Sequence, residues 1–243
     1  MIYVRECDIQ NTLMVDVAAN CREVLKRMGE AATRCGRNPK EIRLLAASKS
    51  QSIDKIRAAI EAGIRLFGEN YVQELEAKKS AVGEAVEWHM IGHLQRNKVK
   101  AAVDLCDLIQ SLDNVDLARA LDKEGKKRGR AVRVLVEVNL AAEETKSGIP
   151  RDQVIRLLAE VGQLSSMKIE GLMAVPPYRD EPEQVRPYFR ALRELQDELR
   201  ERKIPNVDLK ELSMGMTHDY QIAIEEGATL VRVGTAIFGP RGE

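Results

Sequence analysis

The chain has 243 residues, with 38 Lys plus Arg against 38 Asp plus Glu, a formal net charge of zero and only 4% aromatic residues. That balance excludes a duplex-binding surface built on bulk positive charge, and the scarce aromatics weaken any base-stacking scheme for nucleic acid, although a local basic pocket for one phosphate stays open. No apolar run reaches the roughly 20 residues a membrane helix needs, and the N-terminus carries Arg5 and Asp8 and lacks the continuous apolar stretch of a signal peptide. Cys7, Cys21, Cys35 and Cys106 show no C-x-x-C spacing, so reduced thiols in the cytoplasm are expected.

An amphipathic helix is predicted first, over residues 14–37. A strand at 42–48 is followed by a helix at 52–62, a strand at 64–68 by a helix at 70–83, and a strand at 86–92 by a helix at 94–103. A short strand at 108–111 precedes a helix at 114–128. The clearest strand, 132–140, precedes a helix at 151–164. A strand at 167–175 leads to a helix at 183–202, and one at 207–213 to a helix at 218–226. The last strand, 230–234, runs into a short tail.

Eight strands, each followed by a helix or the tail, imply a parallel sheet with right-handed crossovers. Eight such units in about 240 residues fit a closed α/β barrel, the (β/α)8 TIM barrel, better than an open doubly wound sheet. No Gly/Ser linker divides the chain, so residues 1–243 read as one barrel domain, with 1–40 as an N-terminal arm and extra helix.

Parity along the strands assigns faces. In residues 131–140, Val132, Val134, Val136 and Val138 share one face and are expected to point out at the helices. Leu135, Glu137 and Asn139 share the other face and point into the barrel. A carboxylate and an amide placed there need partners.

Active sites of such barrels lie at the C-terminal ends of the strands. Those ends carry Lys49, Gly68-Glu69-Asn70, Gly92-His93, Ser111, Asn139, Met173, Ser213 and Gly234. A lone lysine after an apolar run normally reaches for solvent. Lys49, however, shares the parity of Leu45 and Ala47 and so can point inward. A partly desolvated lysine has a lowered pKa and attacks carbonyls as the free amine. Ser213-Met214-Gly215-Met216-Thr217 and Gly234-Thr235 follow the seventh and eighth strands, where barrels often seat a phosphate on backbone N–H groups. Ordinary turns and helix caps use the same residue types.

In Leu230-Val231-Arg232-Val233-Gly234, the two valines face the helices and Arg232 faces the interior. A buried arginine must have a partner. Glu137 or Glu211 is the structural candidate, and a ligand the functional one. His89 and His93 are four apart, but in a strand-then-loop context that lacks the H-E-x-x-H glutamate, so no metal site is assigned. His218 is expected in the first turn of a helix, as a surface residue.

The motifs resemble those of the pyridoxal-phosphate homeostasis proteins, also called the alanine-racemase N-terminal-domain-like family. The resemblance rests on Leu45-Ala46-Ala47-Ser48-Lys49, Phe67-Gly68-Glu69-Asn70-Tyr71-Val72-Gln73-Glu74 and Trp88-His89-Met90-Ile91-Gly92-His93-Leu94-Gln95-Arg96-Asn97-Lys98. It continues through Val138-Asn139-Leu140, Lys146-Ser147-Gly148, Gly171-Leu172-Met173-Ala174-Val175 and Leu212-Ser213-Met214-Gly215-Met216, and ends with Val231-Arg232-Val233-Gly234-Thr235-Ala236-Ile237-Phe238-Gly239. Thr217 stands where many relatives have serine, which keeps the hydroxyl. His93 and Arg96 sit at variable positions, and the first 13 residues match nothing in the family.

The resemblance implies a fold-type III barrel holding pyridoxal 5′-phosphate (PLP) as a Schiff base on Lys49. By the same likeness Asn70 lies near the cofactor ring and Arg232 meets the pyridine nitrogen. Ser213, Gly215, Gly234 and Thr235 hold the phosphate, with Met214 between them in the cofactor site. Arginine only donates, so it leaves that nitrogen an unprotonated acceptor and the ring a poorer electron sink. The reading this likeness favours is a non-catalytic carrier and regulator of intracellular vitamin B6 and amino-acid pools, with PLP-dependent apoenzymes as the expected partners.

The alternative is a PLP-dependent amino-acid racemase, which needs a second base on the opposite face. Tyr71, Tyr178 and Tyr220 are available, but no motif supports any of them. The similar racemases complete that site with an additional β-domain and a partner subunit. No such domain is read after the last strand, so a carrier and a monomer are expected. A third reading has a different phosphorylated metabolite in the barrel, with Lys49 acting only as a charge.

Overall fold

The structure, a computed structural model, describes residues 15–141 and 147–240. The first 14 residues and Lys146 of the family motif lie outside the described residues. Eight strands form the barrel: β1 (Arg43–Ala47), β2 (Leu66–Glu69), β3 (Glu87–Met90), β4 (Leu108–Leu112), β5 (Val132–Asn139), β6 (Met167–Met173), β7 (Val207–Ser213) and β8 (Leu230–Val233). Each pairs in parallel with its sequence neighbour. The pairing of β1 with β8, in which Leu45 stands opposite Arg232, closes the ring. This is the closed barrel the strand count implied.

The helices are α1 (Val17–Arg34), α2 (Ile53–Glu61), α3 (Val72–Val82), α4 (Val99–Leu105), α5 (Val115–Arg128), α6 (Val154–Val161), α7 (Arg186–Arg200), α8 (Tyr220–Glu225) and α9 (Thr235–Phe238). Side chains start several of them. Asp16 accepts from Ala19 N–H at 2.8 Å, and Asn114 accepts from Leu117 N–H at 2.8 Å. Gly129 closes α5 at φ 63°, in the left-handed region where an αL cap favours glycine. Three predicted helices begin instead as short 3-10 turns, Arg96–Lys98, Arg151–Gln153 and Pro182–Val185. Three elements escape the sequence reading: a 3-10 turn, Pro39–Glu41, before β1, a two-residue strand, Ile149–Pro150, on β5, and α9 in what reads as a tail.

Val132, Val134, Val136 and Val138 join the main core between strands and helices, with Leu117, Leu121 and Leu158. The barrel interior holds two small apolar clusters, Leu45 with Leu66 and Leu230, and Leu108 with Leu135 and Met173. Gly68 is needed there: a Cβ would stand 2.4 Å from the Leu45 Cδ2 methyl. Between and beside these clusters lie buried polar groups, among them His89, Gln110, Ser213 and Arg232.

Candidate active site at the barrel mouth

The apolar run of β1 delivers Ser48, Lys49 and Ser50 to the mouth. Lys49 is half-buried, and both of its neighbours are tied down. Ser48 is fully buried and donates its hydroxyl to Glu69 Oε1 at 2.6 Å. Lys78, on the inner side of α3, donates to the Ser48 carbonyl at 2.8 Å, to Glu69 Oε1 at 2.7 Å and to Glu74 Oε2 at 2.7 Å. Ser50, at φ 59°, donates its N–H to Glu74 Oε2 at 2.8 Å. A non-glycine residue held in that region is over-determined by its surroundings. Burial raises the Glu69 carboxyl pKa, and the Lys78 and Ser48 bonds pull it back only in part. At Glu74 burial raises it too, but the bonds from Lys78 and Ser50 outweigh that and leave the pKa lowered. The Glu74–Lys78 spacing of four on a helix is the sequence signal for this clamp.

Arg232 lies in the interior as parity required, 4% exposed. Its partners are not the expected carboxylates. Nη1 donates to the Ser213 carbonyl at 2.7 Å and to Ser213 Oγ at 2.6 Å, and Nη2 donates to the Ala174 carbonyl at 2.8 Å. Glu211 instead accepts from the Thr229 hydroxyl at 2.5 Å. Three neutral oxygens satisfy the cation, so no full countercharge is needed in contact. Burial lowers the Arg232 pKa to about 10, which leaves it charged at neutral pH. Glu137, inward on β5 and 7% exposed, is pushed up to about 7 by burial and by Asp113, against the pull of Arg232.

Ser213 therefore does not present its hydroxyl to a phosphate. It is fully buried, donates to Gln110 Oε1 at 2.6 Å and accepts from Arg232. Met214 is also buried, and its N–H goes to the Leu230 carbonyl at 3.1 Å. Beyond them the chain turns at Gly215, φ 89°, where a Cβ would lie 2.5 Å from that of Ala223. The N–H groups of Gly234 and Ala236 both point at the Thr217 hydroxyl, at 3.3 Å and 3.4 Å, with Thr235 exposed between them. Two long bonds from backbone donors converge on one neutral oxygen. That donor set suits an anionic phosphate oxygen.

Asn70 is half-buried directly after β2. Gly92 makes room for its backbone, since a Cβ there would lie 2.5 Å from the Asn70 carbonyl oxygen. Beside it opens a cavity of about 480 Å³, lined among others by Tyr71, His93, Gln95 and Lys98. Because β2, β1 and β8 are adjacent, Asn70, Lys49, Gly234 and Arg232 share one side of the mouth, with Ser213 and Met214 beneath.

The two histidines of the third strand region part company. His89 is fully buried inside the barrel, whereas the His93 side chain is 52% exposed and lies 3.4 Å from Asp113. Among the described residues no group of three or more His, Cys, Asp or Glu side chains is placed to hold a metal ion. His218 is exposed as expected but precedes α8, and its Nε2 lies 3.0 Å from the Asp180 carbonyl. Lys78 and Gln110 were not singled out by sequence reasoning, and Thr217 was noted there only for keeping a hydroxyl. Gln110 carried a usable sign, an amide inside the apolar strand Leu108-Ile109-Gln110-Ser111-Leu112.

Comparison with known proteins gives the family. The family model for "Alanine racemase, N-terminal domain" matches residues 17–242. The pyridoxal phosphate homeostasis protein of Aquifex aeolicus (strain VF5) is 46% identical over 219 residues, 90% of this chain and 95% of that protein. The protein of the same name from Escherichia coli (strain K12) is 39% identical over 232 residues, 94% and 98% of the two chains. Among solved structures, PipY of Synechococcus elongatus PCC7942 with PLP bound superposes with a TM-score of 0.79 at 35% identity, over 89% of this chain and 100% of its own.

Proposed function

The chain belongs to the alanine racemase N-terminal-domain family and, within it, to the pyridoxal phosphate homeostasis proteins, and from that membership we propose that it binds PLP at the barrel mouth as a non-catalytic carrier and regulator in the homeostasis of vitamin B6 and amino acids. The observation that carries this reading is the placement of Lys49, on a turn fixed from both sides, at the mouth end of β1, the strand that pairs with the β8 segment carrying buried Arg232. When bound, the cofactor supplies an electrophilic aldehyde. Lys49 would anchor it covalently, Arg232 would meet the pyridine nitrogen, and Asn70 would help to hold the ring. Gly215, Thr217, Gly234 and Thr235 surround the phosphate, with Met214 beneath. Ser213 serves Arg232 rather than the phosphate.

Arg232 keeps its charge and only donates, so carbanion chemistry gains little at this site. Tyr71 and Tyr178 are 61% and 70% exposed, and Tyr220 is buried in the main core, so a carrier suits the site better than a racemase. Among the described residues no helix is long and apolar enough to cross a membrane. In our reading the protein is a cytoplasmic monomer that supplies PLP-dependent apoenzymes.

Purified protein mixed with PLP should gain a visible absorbance band, and borohydride should trap an adduct that peptide mass spectrometry maps to Lys49. Lys49→Ala should lose both. A protein that stays colourless and carries no adduct would favour the reading in which the barrel takes a different phosphorylated metabolite and Lys49 acts only as a charge. Robust racemisation of D- and L-alanine that vanishes in Lys49→Ala would instead make the protein an enzyme.

A further inference from the structure

We infer that Ser213, Gln110, His89 and Glu87 form a one-directional hydrogen-bond relay that positions Arg232 and holds His89 as the neutral Nε2–H tautomer. The role of Arg232 toward the cofactor rests on the function proposed above; the relay itself does not.

The chain of contacts is continuous. Arg232 Nη1 donates to Ser213 Oγ at 2.6 Å, and Ser213 Oγ donates to Gln110 Oε1 at 2.6 Å. Gln110 Nε2 lies 2.8 Å from His89 Nδ1, and His89 Nε2 lies 2.8 Å from Glu87 Oε1. Ser213, Gln110 and His89 are all fully buried, out of reach of bulk solvent.

Each link dictates the next. A guanidinium only donates, so Ser213 Oγ must accept from Arg232. The single hydroxyl proton of Ser213 then goes to Gln110 Oε1. That turns the amide NH₂ of Gln110 toward His89, whose Nδ1 must accept. The ring proton is therefore on Nε2, donated to the Glu87 carboxylate. Turning the Gln110 amide over leaves the buried Ser213 proton without an acceptor and requires a doubly protonated imidazole. Burial opposes that cation and lowers the His89 pKa. Arg43 and Arg133 lower it further, and Glu87 works the other way.

The relay spans the barrel from mouth to base. Glu87 opens β3 at the end opposite the mouth, where Arg43 also bonds it and Arg133 lies 3.9 Å away. Arg232 thus cannot swing toward solvent without leaving Ser213 Oγ, and through it the whole chain, one donor short. Ser213, Gln110, His89 and Glu87 are positioning residues: they act on a ligand only through Arg232.

Two measurements test this. In ligand-free wild-type protein at pH 7, long-range ¹⁵N–¹H NMR should show His89 with its proton on Nε2 and Nδ1 as an acceptor. A proton on Nδ1, or on both nitrogens, overturns the relay. In the second, Ser213→Ala should keep the borohydride-trapped adduct on Lys49 but weaken PLP binding about 10–100-fold and shift the visible band, and Ser213→Thr should restore both. Unchanged affinity and spectrum in Ser213→Ala overturn the positioning role. If wild-type protein never forms the adduct, the proposed function fails, while the tautomer measurement still decides the relay.

Discussion

Arg232 shows how a cation is kept inside a barrel without a contacting carboxylate. Three neutral oxygens take its protons, and Glu137 acts only through space. Glu137 itself is strained by its setting: burial and Asp113 raise its pKa from the ordinary 4.5 to about 7, against the pull of Arg232. Folded protein then binds this proton more tightly than unfolded chain, so stability falls as pH rises from about 4.5 to about 7 and the penalty is complete above that window. Glu137→Gln removes the titration. Urea unfolding of ligand-free protein should show the variant more stable than wild type by about 1–3 kcal/mol at pH 8 and nearly equal to it at pH 5. An equal effect at both values would place the cause elsewhere. Strand parity alone places Glu137 and Arg232 on the inward face. It could not tell that Arg232 bonds carbonyls and a hydroxyl, because such partners leave no charge pattern to read.

At the scale of elements, the clamp between α3 and the turn after β1 governs the site. Lys78 bonds one carbonyl and two carboxylates from a position only 5% exposed. Lys78→Met leaves Glu69 buried and unpaired, so it should cost about 3 kcal/mol at neutral pH, and less in acid as Glu69 takes up a proton. Glu69→Gln added to Lys78→Met should recover most of that loss. Simple additivity of the two changes in denaturation would show that the pair is not coupled. Strand and helix positions were legible because apolar spacing switches cleanly between the two periods along the chain. Contacts such as Lys78 to the Ser48 carbonyl were not, since they join residues 30 apart through a geometry that only the closed barrel creates.

The whole molecule depends on a substitution of one helix for another. The helix after β8 is only four residues, Thr235–Phe238, too short to cover its share of the barrel. α1 takes that place, packing against α8, α9 and α2 and burying Val17, Cys21, Val24, Met28, Ala31 and Ala32. Asn20 donates to the Ile237 carbonyl at 2.9 Å, and Arg37, just past α1, bonds the Ile224 and Ala228 carbonyls. Sequence periodicity announces the helix but not its berth, because its partners lie at the far end of the chain. Met28→Ala should lower stability by about 2–4 kcal/mol in chemical denaturation and lower it equally in protein carrying Lys49→Ala. Dependence on Lys49 would contradict a purely structural role for α1.

That arrangement has a kinetic side. Asn20 and its partner Ile237 are 217 residues apart, so α1 leaves the ribosome long before the segment it must cover. An amphipathic helix of 18 residues waits with its apolar face unsatisfied while seven strands are made. The ring cannot seal until β8 arrives, so the slow event in folding should be the late docking of the earliest helix, a contact of very high sequence separation. A nascent chain stalled before β8 would leave that face open to chaperones.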